Sequence, residues 1–353
     1  MDRSDVKFAA AAPGLLQRLA EGPVICAEGY LFECERRGYL QAGAYVPEVV
    51  LEHPEVITQL HRDFVHAGSD VVEAFTYYAH REKLRAIGRE DVLEPLNRQA
   101  LEIAKHVARE SGALFAGNIS NTNIYAPDDE VRRKVREMFA EQVAWAVEAG
   151  VDYIIAETFA AGEEAVLACE VIKETGLPAV VTFVPDFADA GTLSVGEGWS
   201  AAETCKRLED AGADVVGLNC CLGPRTMLPY LQPIRESVRV PVAALPVPYR
   251  THFGEPFMQA LTDPQLGVRP FPVALDPFTC NRFEIADFAR IAQAIGVRYL
   301  GLCCGAGPHH IRALAEALGR TPPSSRYSAD ITRHYFFGEE ARRLAPVGGR
   351  DST

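Results

Sequence analysis

The sequence lacks the features of a membrane-spanning, secreted or nucleic-acid-binding protein. No apolar run in its 353 residues reaches the roughly 18–20 residues that cross a bilayer. The N-terminus has a short alanine-rich stretch but no signal-peptide pattern, because acidic, helix-forming sequence continues after it. Acidic residues outnumber basic ones by 48 to 35, and the net charge of −13 disfavours binding to nucleic acid or an anionic membrane. We therefore expect a cytoplasmic protein with neither kind of partner.

The nine cysteines lack the even spacing of a disulfide framework, and nine is an odd number. In a reducing compartment they are expected to be free thiols, so grouped cysteines point to metal binding or catalysis. Two groups occur, Cys220-Cys221 and Cys303-Cys304. The other five are scattered and are expected to pack in the interior: Cys26, Cys34, Cys169, Cys205 and Cys280.

Short apolar runs alternate with longer amphipathic segments along most of the chain. Eight runs are continuous and rich in branched residues, as expected of parallel strands that are buried on both faces. They are Val24 to Cys26, Val71 to Phe75, Leu114 to Gly117, Tyr153 to Ala156, Ala179 to Phe183, Val215 to Leu218, Val242 to Leu245 and Tyr299 to Leu302.

The segments between these runs have helical apolar spacing, and several stop at a glycine. Pro54 to Ala67 stops at Gly68, and two other segments stop at Gly150 and Gly212. Each of these glycines is followed almost at once by a strand, as in the αβ loop of a β/α repeat. Eight such units predict a single-domain α/β protein, a (β/α)8 TIM barrel. A doubly wound sheet is the main alternative, but no glycine-rich phosphate loop follows the first strand.

We assign the barrel to residues 22–322, with a helical lead-in at 1–21 and a C-terminal tail at 323–353. One long connection, 246–282, follows the seventh strand and is rich in proline, phenylalanine and glycine. A loop of this length in a compact domain is usually functional or part of an interface.

Strands six and eight are each followed by cysteine at the C-terminal end of the barrel, where TIM-barrel enzymes carry their active sites. Because both strands are even-numbered, their inward side chains share a layer, so Cys220 can face Cys303 and Cys304. A vicinal pair cannot point the same way in a regular strand, so the backbone must leave strand geometry there, and Gly305 permits this. Three thiolates with one open position form the layout of a catalytic zinc site. The alternative is that all three are small core residues, since buried cysteine is common.

The motifs Asn219-Cys220 and Cys303-Cys304-Gly305 resemble the zinc motifs of the homocysteine S-methyltransferase family. The similarity runs over residues 22–320, where FECERRGYLQAG (32–43), VVGLNC (215–220) and GVRYLGLCCGAGPHHIRALAEAL (296–318) are examples, and it is greatest to the betaine-dependent members. The resemblance implies a zinc-bearing (β/α)8 barrel enzyme whose Zn²⁺ is bound by the three cysteines. It also implies methyl transfer from an onium donor, glycine betaine first, to the thiolate of homocysteine, giving methionine.

The resemblance also implies substrate-binding residues. Glu157, at the end of strand four, matches the acid that holds the amino group of homocysteine, and Asn219 adjoins a metal ligand. Tyr45 and Tyr78 match the positions of donor-site aromatic residues, and an onium group is recognised by aromatic faces. No acid–base residue is expected beyond the metal site, because no proton moves during the transfer itself.

Two positions differ from the family motifs. The family has Asp-Gly-Gly after the first strand where this chain has Ala27-Glu28-Gly29, so Glu28 and Gly29 are expected to contact the acceptor. A tyrosine that can fill the metal's open position in relatives is Thr158 here, which predicts water instead. These differences favour an alternative with a sulfonium donor, such as S-methylmethionine or dimethylsulfoniopropionate, or with another thiol acceptor.

A further alternative from another class is a non-catalytic redox sensor in which Cys303 and Cys304 form a disulfide. The sequence does not decide whether the protein forms a homo-oligomer.

Overall fold

Eight parallel strands form a nearly closed barrel in the computed structural model, which describes residues 13–185, 194–195 and 198–339. Hydrogen-bonded neighbours follow the order β1-β8-β7-β6-β5-β4-β3-β2, so every barrel strand except the closing pair has a ladder on each side. The strands are β1 (Val24–Ala27), β2 (Val71–Glu73), β3 (Leu114–Ser120), β4 (Tyr153–Phe159), β5 (Ala179–Phe183), β6 (Val215–Asn219), β7 (Val242–Leu245) and β8 (Tyr299–Leu302). The predicted (β/α)8 barrel is confirmed, and a doubly wound sheet is excluded.

Helix α1 precedes the first strand, and the other helices lie around the barrel. They are α1 (Leu15–Glu21), α2 (Tyr30–Arg36), α3 (Val49–Glu52), α4 (Pro54–Ala67), α5 (Arg81–Ala86), α6 (Leu93–Ser111), α7 (Asp129–Ala149), α8 (Gly162–Lys173), α9 (Ala201–Asp210), α10 (Pro224–Ser237), α11 (Arg282–Ile295) and α12 (Pro308–Ala317). Gly68 and Gly150 end α4 and α7 in the left-handed conformation, as the sequence predicts. A short antiparallel ribbon pairs Ser194–Val195 with Trp199–Ser200.

Asp70 closes the barrel between β1 and β2. Its backbone N–H donates to the carbonyl of Ile25 at 2.8 Å, and its carboxylate accepts the N–H of the same residue at 2.7 Å. Arg320, beyond α12, donates to this carboxylate at 2.5 Å. One acidic side chain therefore joins the first two strands where no ladder does.

The lower half of the barrel interior is an apolar core. Tyr153 of β4 and Tyr299 of β8 point inward, and their hydroxyls are hydrogen-bonded to each other at 2.9 Å. Leu15 and Leu19 of α1 join the same cluster of buried side chains, so α1 covers the N-terminal end of the barrel.

The upper half of the interior is polar. Alternate side chains of a strand point to the same side, so the residue two positions beyond an inward apolar residue also points inward. This alternation places Glu73 above Val71, Asn118 above Ala116 and Glu157 above Ile155. These polar side chains lie at the C-terminal ends of the strands, where barrel enzymes carry their active sites.

Among the described residues, no helix has both the length and the apolar character needed to cross a membrane. The lead-in at 1–12 and the end of the predicted tail at 340–353 lie outside the described residues.

Candidate metal centre and substrate cleft

Three cysteine sulfurs meet at the C-terminal mouth of the barrel. The Sγ atoms of Cys220, Cys303 and Cys304 all lie within 4.8 Å of one another, and those of Cys303 and Cys304 are 3.9 Å apart. Tetrahedral zinc with Zn–S bonds of about 2.3 Å holds its sulfurs about 3.8 Å apart. The set therefore fits a soft, four-coordinate metal ion with one position left for another ligand.

The backbone, rather than the strand layer, brings Cys220 to this cluster. The sequence argument placed Cys220 itself in the inward layer of β6, but Asn219 occupies that place and contacts the barrel interior. Cys220 follows the strand with a φ of 58°, and this left-handed turn redirects its side chain. Cys303 and Cys304 both follow the end of β8, so strand alternation does not constrain them.

Gly305 is held against the long connection 246–282, at Tyr249. Its φ is +91°, and a Cβ added there would lie 2.2 Å from the Tyr249 hydroxyl. Arg36 of α2 donates to that hydroxyl at 2.9 Å and to the carbonyl of Gly305 at 3.2 Å. The connection thus packs directly behind the Cys303-Cys304 turn and fixes its shape.

The three thiols differ in how readily they ionise. Hydrogen bonds from the thiols of Cys221, Cys303 and Cys304 lower the pKa of Cys220 well below its ordinary value. Burial raises the pKa of Cys303 well above it, and the interaction with Cys220 adds to the effect. One thiolate therefore disfavours ionisation of its neighbour, and a bound metal ion would remove that conflict.

Glu157 is the best-supported carboxylate of the site. Its Oε1 accepts from the amide of Asn118 at 2.7 Å, and its Oε2 accepts from the amide of Asn219 at 2.8 Å and from Thr158 Oγ1 at 3.1 Å. Burial raises the pKa of Glu157 to about 7, although these hydrogen bonds oppose the shift. A positively charged group beside it would favour the ionised form.

Glu28 and Glu73 also lie in this interior, and only Glu28 was predicted. Ligand oxygens of Glu28 lie within 4.8 Å of Glu157 and Cys303, and within 4.8 Å of Glu73. Asn118 donates to Glu73 as well as to Glu157. The sequence argument missed Glu73 because it lies within an apolar run, and it missed Asn118 because the predicted run ends at Gly117, yet their inward parity on β2 and β3 was a usable signal.

The predicted aromatic residues occupy two different positions. Tyr45 is near enough to Cys304 for their charges to interact, and its hydroxyl is buried beside the backbone of Gly43. Tyr78 lies beside Tyr77, with ring centroids 4.2 Å apart, and the ammonium of Lys83 lies 3.9 Å from the Tyr78 centroid. Tyr77, which the sequence argument did not choose, lines the cleft.

Left-handed backbone is concentrated at the site. Six non-glycine residues in the described ranges have positive φ, and four of them are predicted site residues: Tyr45, Tyr78, Thr158 and Cys220. Such conformations are costly for residues with a side chain and cluster at functional sites.

Several of these groups line one narrow cleft. Its lining includes Cys303, Cys304, Tyr77 and the three glutamates, and among the described residues it contains no lysine, arginine or histidine. An uncompensated acidic lining favours positively charged ligands.

Fold and site together define a (β/α)8-barrel protein with a three-thiol centre able to hold a metal ion. The family model of homocysteine S-methyltransferase matches residues 30–318. Betaine–homocysteine S-methyltransferase 1 of Xenopus tropicalis is 38% identical over 89% of this chain and 79% of its own length. The S-methylmethionine–homocysteine S-methyltransferase of Pongo abelii is 36% identical over 89% of this chain and 85% of its own.

A solved structure, the metallated form of the homocysteine methyltransferase of Escherichia coli, superposes with a TM-score of 0.63. It is 20% identical, and the match covers 84% of this chain and 96% of that one, which supports the barrel fold. The chain belongs to the homocysteine S-methyltransferase family and is an S-methyltransferase.

Proposed function

We propose that the protein moves a methyl group from an onium donor, glycine betaine first, to the thiol of homocysteine, giving methionine. The observation that carries this proposal is the cluster of Cys220, Cys303 and Cys304, whose sulfurs converge beside the acidic cleft. The family membership and the curated relatives, which act on homocysteine by name, support the choice of acceptor.

We propose Zn²⁺ as the metal, with Cys220, Cys303 and Cys304 as its protein ligands. Bound zinc keeps a thiol in its nucleophilic thiolate form at neutral pH, where a free thiol is mostly protonated. The spacing of the sulfurs fits this ion, and three thiolate ligands leave one position for the acceptor.

The chain's own residues orient the acceptor. Glu157 binds its ammonium group, and Asn118 and Asn219 hold that carboxylate from two sides. Gly29 allows its backbone to pack closely against Ala306, because a Cβ there would lie 2.0 Å from the carbonyl oxygen of Ala306. Thr158 takes no part in metal binding, since its hydroxyl is hydrogen-bonded to Glu157 and Asn219.

Donor binding relies on aromatic side chains near Cys304. Tyr45 and Tyr77 offer ring faces to the onium group, each worth about 0.5–2 kcal/mol. One S–C bond forms as one N–C bond of the donor breaks, the electron pair stays on nitrogen, and the donor leaves as a neutral amine. The thiol proton is released to solvent before transfer. The enzyme then has to hold the acceptor sulfur, the methyl carbon and the donor nitrogen in line.

A sulfonium donor such as S-methylmethionine or dimethylsulfoniopropionate is the second candidate. The S-methylmethionine-dependent relative is nearly as similar to this chain as the betaine-dependent ones. Thr158, which stands where betaine-dependent relatives have a tyrosine, is the residue that favours this candidate.

Metal analysis combined with a donor panel tests the proposal. The purified protein is expected to contain one zinc per chain and to form methionine from homocysteine with glycine betaine. Cys304→Ala should lose zinc and activity together, whereas Cys205→Ala, which removes a buried thiol remote from the cleft, should lose neither. Zinc-replete protein that forms no methionine with any ammonium or sulfonium donor would exclude the proposed function, and a preference for a sulfonium would establish the second candidate.

A further inference from the structure

The cleft contains three carboxylates, although Glu157 alone would be enough to bind one substrate ammonium group. Glu28 follows β1 and reaches within 4.8 Å of both Glu157 and Cys303. A carboxylate oxygen of Glu73 on β2 also lies within 4.8 Å of one of Glu28. Within the part of the chain that the structure describes, no basic side chain lines the cleft to offset the three carboxylates.

Glu28 differs from its two neighbours because no side-chain amide donates to it. Both carboxylate oxygens of Glu28 are buried without a hydrogen-bond partner, and the residue is only 7% exposed. Asn118 gives its amide N–H groups to Glu73 and Glu157, so its own Oδ1 is also buried without a partner. A buried acceptor with no donor is unfavourable, and more so when it is charged.

An ammonium group satisfies this arrangement. It carries a positive charge and three N–H donors, so it can bind two carboxylates and one amide oxygen at once. The Cys303 sulfur, within 4.8 Å of both Glu28 and Glu157, places that ammonium next to the metal centre. The spacing suits a molecule whose thiol and ammonium groups are joined by a short carbon chain.

We propose that Glu28 and Glu157 together bind the ammonium group of the acceptor, so that the enzyme accepts aminothiols whether or not they carry a carboxylate. This inference rests on the proposed function and names its acceptor class. The residues described as lining the cleft include no positively charged partner for an acceptor carboxylate, and Glu28 occupies a place where relatives by resemblance have glycine.

Three thiols test the claim on the zinc-loaded, full-length protein. In each, the same number of carbon atoms separates the sulfur from the ammonium or carboxylate group. Homocysteine carries both groups, 3-aminopropane-1-thiol lacks the carboxylate, and 4-mercaptobutanoate lacks the ammonium. Loss of the carboxylate is expected to lower kcat/KM by less than about tenfold. Loss of the ammonium should lower it by more than about a hundredfold, because two charge-assisted contacts disappear.

Glu28→Gln tests the residue itself. The KM for homocysteine and for 3-aminopropane-1-thiol should each rise by about tenfold or more, while the donor KM and the zinc content stay unchanged. Glu164→Gln is the matched control, since Glu164 is a buried glutamate of α8 that accepts from Thr122 outside the cleft. Glu28→Gly, which restores the glycine of relatives, serves as the second variant if the glutamine variant is poorly folded by circular dichroism.

Two results would overturn the inference and leave the proposed function intact. One is methylation of homocysteine but not of 3-aminopropane-1-thiol, and the other is an unchanged KM for both aminothiols in the Glu28 variants. Failure of the zinc-loaded protein to methylate any of the three thiols would instead remove the proposed function, and this inference with it.

Discussion

The side-chain amide of Asn219 on β6 binds Glu157 on β4, with Asn219 Nδ2 lying 2.8 Å from Glu157 Oε2. The same asparagine accepts the backbone N–H of Thr158 at 3.0 Å through its Oδ1. One buried side chain therefore fixes both the carboxylate that we assign to the acceptor and the left-handed residue after it. It also immediately precedes Cys220, so it couples the metal centre to the acceptor site.

Asn219→Leu is expected to weaken acceptor binding without removing the metal. The change deletes a hydrogen bond to a charged group, worth about 1.5–3 kcal/mol, so the KM for homocysteine should rise by about ten- to a hundredfold. Zinc content and the KM for the donor are the accompanying measurements. An unchanged homocysteine KM would show that Glu157 does not depend on Asn219 for its orientation.

Gly305→Ala should destabilise the protein and impair metal binding. The added methyl group meets the Tyr249 hydroxyl at 2.2 Å and must also adopt a φ of +91°. Strain and steric overlap together should cost about 2–4 kcal/mol in the free energy of unfolding, measured in urea.

Gly319→Ala is the matched control for that variant. Gly319 also has a positive φ, of +78°, but no atom lies within 4 Å of an added Cβ. It should therefore cost only the backbone strain, about 1–2 kcal/mol, and leave zinc content unchanged. Equal losses in the two variants would show that the contact with Tyr249 contributes nothing.

His61 should make the protein sensitive to acid. Burial lowers the pKa of His61 from 6.5 to about 3, because both ring nitrogens lie without a partner beneath Tyr30. Below pH 6.5 the unfolded chain binds a proton that the folded chain does not, so stability is complete above pH 6.5 and falls progressively as the pH drops toward 3. Between pH 7 and pH 5 this single group should cost about 2 kcal/mol.

His61→Phe isolates that contribution. Other titrating groups are common to both proteins, so the wild type should lose about 2 kcal/mol more unfolding free energy than the variant between pH 7 and pH 5. Urea titrations at the two pH values provide the measurement. Parallel losses would mean that His61 is protonated in the folded protein.

Tyr77 should contribute more to donor binding than Tyr78. Tyr77 lines the cleft, whereas the ring of Tyr78 already contacts the ammonium of Lys83 at 3.9 Å. Tyr77→Leu is expected to raise the donor KM by about 2- to 30-fold, the value of one cation–π contact, at saturating homocysteine. Tyr78→Leu is the neighbouring control, and a larger effect there would reverse the assignment.

The sequence predicted those parts of the molecule that depend on local patterns. Eight apolar runs became the eight barrel strands, and the cysteines that follow β6 and β8 meet because parallel strands end at the same face. The resemblance added Glu157, which the structure places in the cleft beside those sulfurs.

The parts that could not be predicted depend on single backbone torsions and on distant packing. Whether Asn219 or Cys220 points inward is decided by one left-handed residue, and the same is true of Tyr77 and Tyr78. Glu73 was overlooked because the residues around it are apolar. The contact of Tyr249 with Gly305 joins segments that no short pattern relates.

The left-handed residues around the cleft have a consequence for anyone who selects this protein for heat resistance. Thr158 and Cys220 each hold a backbone shape that glycine adopts at no steric cost. Replacing Thr158 with glycine would relieve about 1–2 kcal/mol of strain, and it would also remove the hydrogen bonds that the Thr158 hydroxyl makes with Glu157 and Asn219. Relieving this strain would make the mouth of the barrel less rigid. Thermal stability and catalytic turnover should therefore oppose each other at these positions.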